Sequence, residues 1–204
     1  MGLVNPAIVF AGNMVGGFWV AAGVVYMLGL GPILDMLFGK AKRPKPPRSS
    51  GRPFEALLYV HAFVQFVVLG SLLYRASIDG SAWTMWVAAL STGISSGVSG
   101  IIVAHELGHT KPKSFSWWVG RLNLFSVLYL HFTTEHNFTH HKYVSTEADP
   151  ATARYGESVW RFVLRTVPGQ FFDAKSVHDR KGKTGFKNPV LRGFALEIAL
   201  VVGM

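Results

Sequence analysis

The sequence predicts an all-α fold, a polytopic membrane helical bundle with histidine clusters on its cytoplasmic side. Three observations predict it. Half of the 204 residues are hydrophobic and 15% are charged, against the roughly 25% charged residues of an ordinary soluble domain. Several apolar runs are long enough to cross the hydrocarbon core of a bilayer. Five of the eight histidines fall in two clusters just outside such runs, His105-Glu-Leu-Gly-His109 and Glu135-His136-Asn-Phe-Thr-His140-His141. A soluble protein with a large core does not account for so many runs.

The elements follow in order. Ile8 to Phe38 is apolar but interrupted by Gly12, Gly16, Gly17, Gly29, Gly31 and Pro32. It reads either as one tilted span or as the remnant of one span joined to another. The run is too long for a signal peptide and shows no cleavage site after it. Residues 40–53 form a basic linker with six lysines and arginines, no acid and four prolines; the prolines oppose regular helix, and the positive-inside rule places the linker in the cytoplasm. Phe54 to Tyr74 is the next span. A connection from Arg75 to Ser81 turns the chain, and Trp83 to Ala104 returns, with Trp83 and Trp86 at the aromatic belt. Gly93, Ser96, Gly97 and Gly100 give this helix the small-residue spacing that lets backbones approach closely in lipid.

Two crossings bring His105 and His109 back to the side of the basic linker. For both clusters to build one site, Trp117 to Thr133 must lie in the interface or enter and return. Lys142 to Lys187 is mostly polar and reads as a cytoplasmic region with short helices around Glu157 to Val167. Asn188-Pro189 opens a last apolar run, too short to span and expected to end inside a membrane helix. The chain is thus expected to form a single domain, 1–204, incomplete at its C-terminus, with a metal-binding region over 105–187.

Composition narrows the function. With no cysteine, disulfides, Cys-ligated zinc and iron–sulfur clusters carried by this chain are excluded. The net charge of +9 gathers beside the apolar runs, where cytoplasmic loops and anionic lipid headgroups explain it better than nucleic acid does. Neutral imidazole is the commonest metal-binding side chain. On a helix, residues four apart point almost the same way, so His105 and His109 can chelate one ion. His136 and His140 repeat the spacing, and His141, one step round, can reach a neighbouring ion. Five imidazoles exceed the needs of one zinc site and suggest two metals completed by ligands elsewhere. His105-Glu106-Leu-Gly-His109 also matches the zinc-protease pattern HExxH, so an intramembrane zinc metalloprotease is one alternative, and a non-catalytic metal-binding fragment another. His61, four residues before Gln65 in a span, reads as a hydrogen-bonded packing residue, and His178 as isolated.

The H-E-L-G-H and E-H-x-x-x-H-H clusters, with Gly31-Pro32-Ile33-Leu34-Asp35, His131-Phe132 and the stretch Glu147-Ala148-Asp149-Pro150 through Ser158, resemble the integral-membrane alkane 1-monooxygenases within the wider membrane fatty-acid desaturase and hydroxylase superfamily. The resemblance covers most of the chain from about Gly31 onward. It implies two non-haem iron ions with O2 as co-substrate, His105, His109, His136, His140 and His141 as ligands, and hydroxylation of a terminal alkane methyl to a 1-alkanol. It further implies a rubredoxin-type electron donor with its reductase, and a bacterial inner-membrane location with the metals facing the cytoplasm. A fatty-acid desaturase or a xylene-type methyl hydroxylase is the neighbouring alternative. Glu106, Glu135 and Asp149 either orient ligands by accepting an imidazole N–H or serve as ordinary surface and capping residues. Two departures stand out. Thr139 replaces the family's usual glycine. The family's third histidine cluster is absent, so these residues are expected to be part of a longer enzyme and not to turn over alone.

Overall fold

The computed structural model describes residues 2–39 and 50–203; most of the basic linker expected over 40–53 lies outside the described residues. Among the described residues every regular element is helical. The chain divides into two compact units, Met1–Leu107 and Gly108–Met204.

The first unit holds α1 (Val4–Val15), α2 (Gly17–Phe38), α3 (Arg52–Asp79) and α4 (Trp83–Gly108). Among the described residues α2, α3 and α4 are long and apolar enough to cross a membrane. The ambiguous run before the linker resolves into two helices. They part at Gly16 and Gly17, whose φ angles of 80° and 57° are left-handed, a conformation only glycine enters without strain. α1, with twelve residues, rises about 18 Å, too little to cross. Gly23 lets the first unit close up: a methyl there would strike the side chains of Val9 and Ser91.

α3 is longer at both ends than its apolar core suggested. Pro53, the linker's last proline, falls in the first turn of α3, where a missing N–H breaks no helical bond. At the other end Arg75 stays helical and donates to the carbonyls of Asn13 (2.8 Å) and Met14 (3.0 Å), so it pairs the open end of α1. The turn then needs only Gly80 to Ala82. Asp79 fastens it by accepting from Arg75 (3.1 Å) and from the Thr84 hydroxyl (2.6 Å).

Several polar side chains buried in this unit pair across helices. His61 Nδ1 lies 3.1 Å from Ser99 Oγ, Gln65 donates to Ser96 (3.0 Å), and Asn13 donates to both Ser71 and Thr92 (3.1 Å each). Residues 61, 65, 68, 71 and 75 recur at three- and four-residue steps, which sets them along one stripe of α3. His61 is thus the hydrogen-bonded packing residue its spacing suggested. Of the small residues expected to pack in α4, Ser96 and Gly100 are buried and Gly97 half-buried, while Gly93 is exposed; Ser91, Ser95 and Ser99 are buried as well.

The second unit holds α5 (Phe115–Ser126), a helix α6 over residues 132–143, α7 (Val159–Asp179) and α8 (Pro189–Val202). Ser114 caps α5 by accepting the Trp117 N–H, and Ser158 caps α7 by accepting the Arg161 N–H (3.3 Å each). Asn188 caps α8: its Oδ1 accepts the Val190 N–H (2.9 Å), while its amide donates to Lys175 O and Asp179 on α7. The twelve residues of α5 also rise only about 18 Å. Where short helices around 157–167 were expected, the structure has one helix of 21 residues running through Pro168. An interior proline costs one backbone hydrogen bond and bends a helix without necessarily ending it, and burial of Thr166, Gln170, Ala174 and Val177 on one face holds both halves in place.

Candidate metal centre

The second cluster is built on α6, and α6 is not a regular α-helix. Residues Phe132–Glu135 are α-helical, His136–His140 form a π-helical turn, and His141–Tyr143 close the element. A π turn bonds i to i+5 and holds more residues per turn than an α turn, which swings the fifth residue on closer to the first. His136 and His141 therefore become neighbours, with their Nε2 atoms 2.9 Å apart. The His109 Nε2 lies 3.3 Å from the same His136 Nε2. The rings of His109 stand edge-on to His136 and to His141, with centroids 5.1 and 5.0 Å apart. The sequence spacing paired His136 with His140, and their rings stack with centroids 5.2 Å apart; the π turn adds His141 as the partner of His136 Nε2.

This geometry fits a metal ion. Two nitrogens bound at about 2.0–2.1 Å to one ion, at bond angles of about 90–109°, stand about 2.9–3.4 Å apart. The observed 2.9 and 3.3 Å fall in that range, with three imidazole nitrogens converging on one place. Phe132 stacks on His136 at 4.9 Å between centroids and holds its ring. Asn137 donates to Gly108 O (3.3 Å) and ties α6 to the start of the unit.

His140 is oriented differently. Its Nδ1 meets Asp149 Oδ2 at 2.8 Å, which leaves Nε2 as the nitrogen free to ligate. Asp149 is itself held: it accepts the Ala151 N–H (2.9 Å) and the Thr152 hydroxyl. Burial works to raise the Asp149 carboxyl, and the hydrogen bonds from Thr152, Ala151 and His140 outweigh it and hold it below the usual carboxylate range. The support extends one step further out. Arg165 on α7 donates to Pro150 O, to Thr152 O and, through two nitrogens, to Glu157 (2.8 and 2.7 Å). It clamps the loop that carries Asp149.

Glu135, just before His136, is fully buried. Among the described residues neither carboxyl oxygen has a hydrogen-bond partner. Burial, with Asp149 and Asp173 nearby, pushes its carboxyl up to about 8, so it is mostly protonated at neutral pH. Donor atoms of Glu135, His140 and Asp149 lie within 4.8 Å of one another.

His105 and Glu106 belong to the first unit, at the end of α4, where His105 Nδ1 lies 3.3 Å from Glu106 Oε1. His105 stands four residues before His109 in sequence. His178 is not isolated: its Nε2 faces the Thr134 hydroxyl at 3.4 Å.

Several residues escaped the sequence reading. Arg165 left no motif. His131 was noted only for its place before Phe132; it is buried against Tyr129 and Phe171, and burial lowers its imidazole to about 4, so it stays neutral. Glu197 accepts the Leu130 N–H at 2.7 Å and pins the turn before α6; a lone acid in an apolar run was the available signal. Asp149-Pro-Ala-Thr152 carried one too, since Asp followed by Thr three residues on is a common side-chain-closed turn.

The family model for fatty acid desaturases matches residues 81–199. The chain is 31% identical over 198 residues to the alkane 1-monooxygenase of Ectopseudomonas oleovorans, covering 90% of this chain and 49% of that protein. It is 32% identical over 206 residues to the alkane 1-monooxygenase of Pseudomonas putida, covering 90% and 51%. To alkane 1-monooxygenase 1 of Alcanivorax borkumensis it is 33% identical over 204 residues, covering 91% and 48%. The chain spans about half the length of these curated relatives. With the family model matching more than half of its residues, the histidine-bearing segment among them, the chain belongs to the fatty acid desaturase family.

Proposed function

We propose that this chain carries part of the metal centre of a membrane di-iron monooxygenase that hydroxylates the terminal methyl of alkanes. The observation that carries the reading is the convergence of His109, His136 and His141, with two Nε2–Nε2 separations of 2.9 and 3.3 Å. The relatives named alkane 1-monooxygenase support the substrate class. His109, His136 and His141 bind through Nε2, His140 through the nitrogen that Asp149 leaves free, and His105 joins by its spacing from His109. When bound, a non-haem iron pair supplies the redox chemistry by which O2 oxidises an unactivated C–H bond. One oxygen atom enters the alcohol and the other leaves as water, with two electrons and two protons taken up. A rubredoxin-type donor supplies the electrons, and the metals face the cytoplasm of a bacterial inner membrane.

The chain's own residues do the positioning. Asp149 accepts the His140 Nδ1–H, which fixes the tautomer and the ring plane. The Arg165 clamp keeps Asp149 in register. Glu135 holds a proton at a buried carboxyl oxygen beside His136 and keeps the local negative charge low. Phe132 excludes water from one face of His136.

The test is metal content by elemental analysis of the detergent-purified chain beside its His136→Ala variant. Iron bound by the parent and lost in the variant is the expected result. Zinc near one per chain, unchanged in the variant, would overturn the reading in favour of the HExxH protease.

A further inference from the structure

α7 carries a second pattern that the metal centre does not use. Thr166, Gln170, Ala174 and Val177 face the interior of the unit. Trp160, Val163, Leu164 and Val167 fall at the i, i+3, i+4, i+7 positions of one helical stripe, and all four are exposed, Trp160 at 79% and Leu164 at 78%. A contiguous apolar stripe left in water is unfavourable and marks an interaction surface.

Three observations identify the occupant as lipid. The chain carries membrane spans, so a bilayer is always tethered to this unit. Residues 158–188 hold seven lysines and arginines against two acids, with Arg161 beside the stripe and exposed, which complements anionic headgroups. A tryptophan at the head of the stripe suits the headgroup boundary, where its ring is buried and its N–H stays wet. A helix with apolar residues on one side, cations beside them and moderate overall hydrophobicity lies in a bilayer surface and does not cross it.

We propose that α7 lies in the plane of an anionic bilayer surface, seating Trp160, Val163, Leu164 and Val167 at the acyl-chain boundary and its cations among the headgroups. The surface is independent of the metal reading, and its test does not require bound metal.

The chain has no cysteine, so single cysteines at 160, 163, 164 and 167, with controls at 161 and 147, take a nitroxide label selectively. The full chain is reconstituted in phosphatidylcholine vesicles with and without roughly a third phosphatidylserine. Collisions with O2 are then compared with collisions with a water-soluble paramagnetic chelate. At the four stripe positions O2 should exceed the chelate by roughly tenfold over its ratio at 161 and 147, and phosphatidylserine should deepen the four positions. Chelate access at 164 in both vesicles would place α7 in water and overturn the proposal. So would closure of 164 to both collision partners, which would mean that protein covers the stripe. Equal depth in neutral and anionic vesicles would overturn the headgroup assignment. Circular dichroism checks the fold of each variant, and four positions reading one pattern keep the test independent of any single substitution.

Discussion

Histidine plays contrasting parts in the two units: His61 is buried in the first, whereas in the second His136 is buried between the exposed His109 and His141. In the first, His61 meets Ser99, and Gln65, Asn13 and Arg75 likewise find hydroxyl or carbonyl partners on a neighbouring helix. These contacts glue helices in lipid. In the second, His109, His136 and His141 turn like atoms toward one another, an arrangement that a shared cation would favour. The first teaches what a structural histidine looks like at a helix interface. The second shows what marks a candidate ligand cluster: ring nitrogens drawn together, and hydrogen-bond partners placed behind the rings, as Asp149 stands behind His140.

The sharpest way to break this comparison is to remove one histidine from each unit. His136→Ala should weaken metal binding by at least about 100-fold, because it touches both other imidazoles; outer partners alone typically account for 10–100-fold. His61→Ala should leave metal affinity unchanged and lower only the thermal midpoint. Competition titration with a metal indicator reads the first, and melting in detergent the second. Equal metal loss in both variants would erase the distinction.

Asp149→Asn comes next. The amide can no longer accept as a carboxylate does, and metal affinity should fall by about 10–100-fold with helicity unchanged. Arg165→Lys should produce a smaller loss in the same titration, since an ammonium cannot replace the two parallel hydrogen bonds to Glu157 or reach both loop carbonyls.

The same clamp gives a pH signature. The hydrogen bonds from Arg165, then the Arg154 N–H, hold the Glu157 carboxyl down at about 2, against 4.5 ordinarily. A depressed carboxyl stabilises the fold fully above its unfolded pKa, and that contribution disappears as pH falls from 4.5 through about 2. Thermal melts across that window should show the loss in the parent and a flatter profile in Glu157→Gln. A parallel decline in both would mean that the clamp does not carry it.

The smallest effect belongs to the first unit. Asn13→Ala removes the amide that bridges Ser71 and Thr92 and should cost about 1 kcal/mol in detergent unfolding, as polar contacts between membrane helices usually do. Metal binding should be unaffected.

Much of the fold was legible because lipid imposes a length on apolar runs. The α3 and α4 spans were placed to within a few residues of their observed ends, and every expected site residue was visible as a residue type. The exact ends were not, because Arg75 and Pro53 prolong or open helices through contacts and caps that composition does not record. Helix α7 outruns the expected 157–167 because the halves on either side of Pro168 bury one common face, a contact the local sequence does not record.

By itself, the sequence determined an all-helical membrane chain and two histidine clusters with chelating spacing, since hydrophobic length and residue type are properties of the chain. The tertiary structure decided the pairing. A π turn brought His141 to His136 Nε2 while the His140 ring stayed stacked on His136, and a loop folded by Asp149 and clamped by Arg165 engaged the His140 Nδ1. Backbone winding and contacts between residues far apart in sequence set the direction of a side chain, and neither is written in the spacing of the residues themselves.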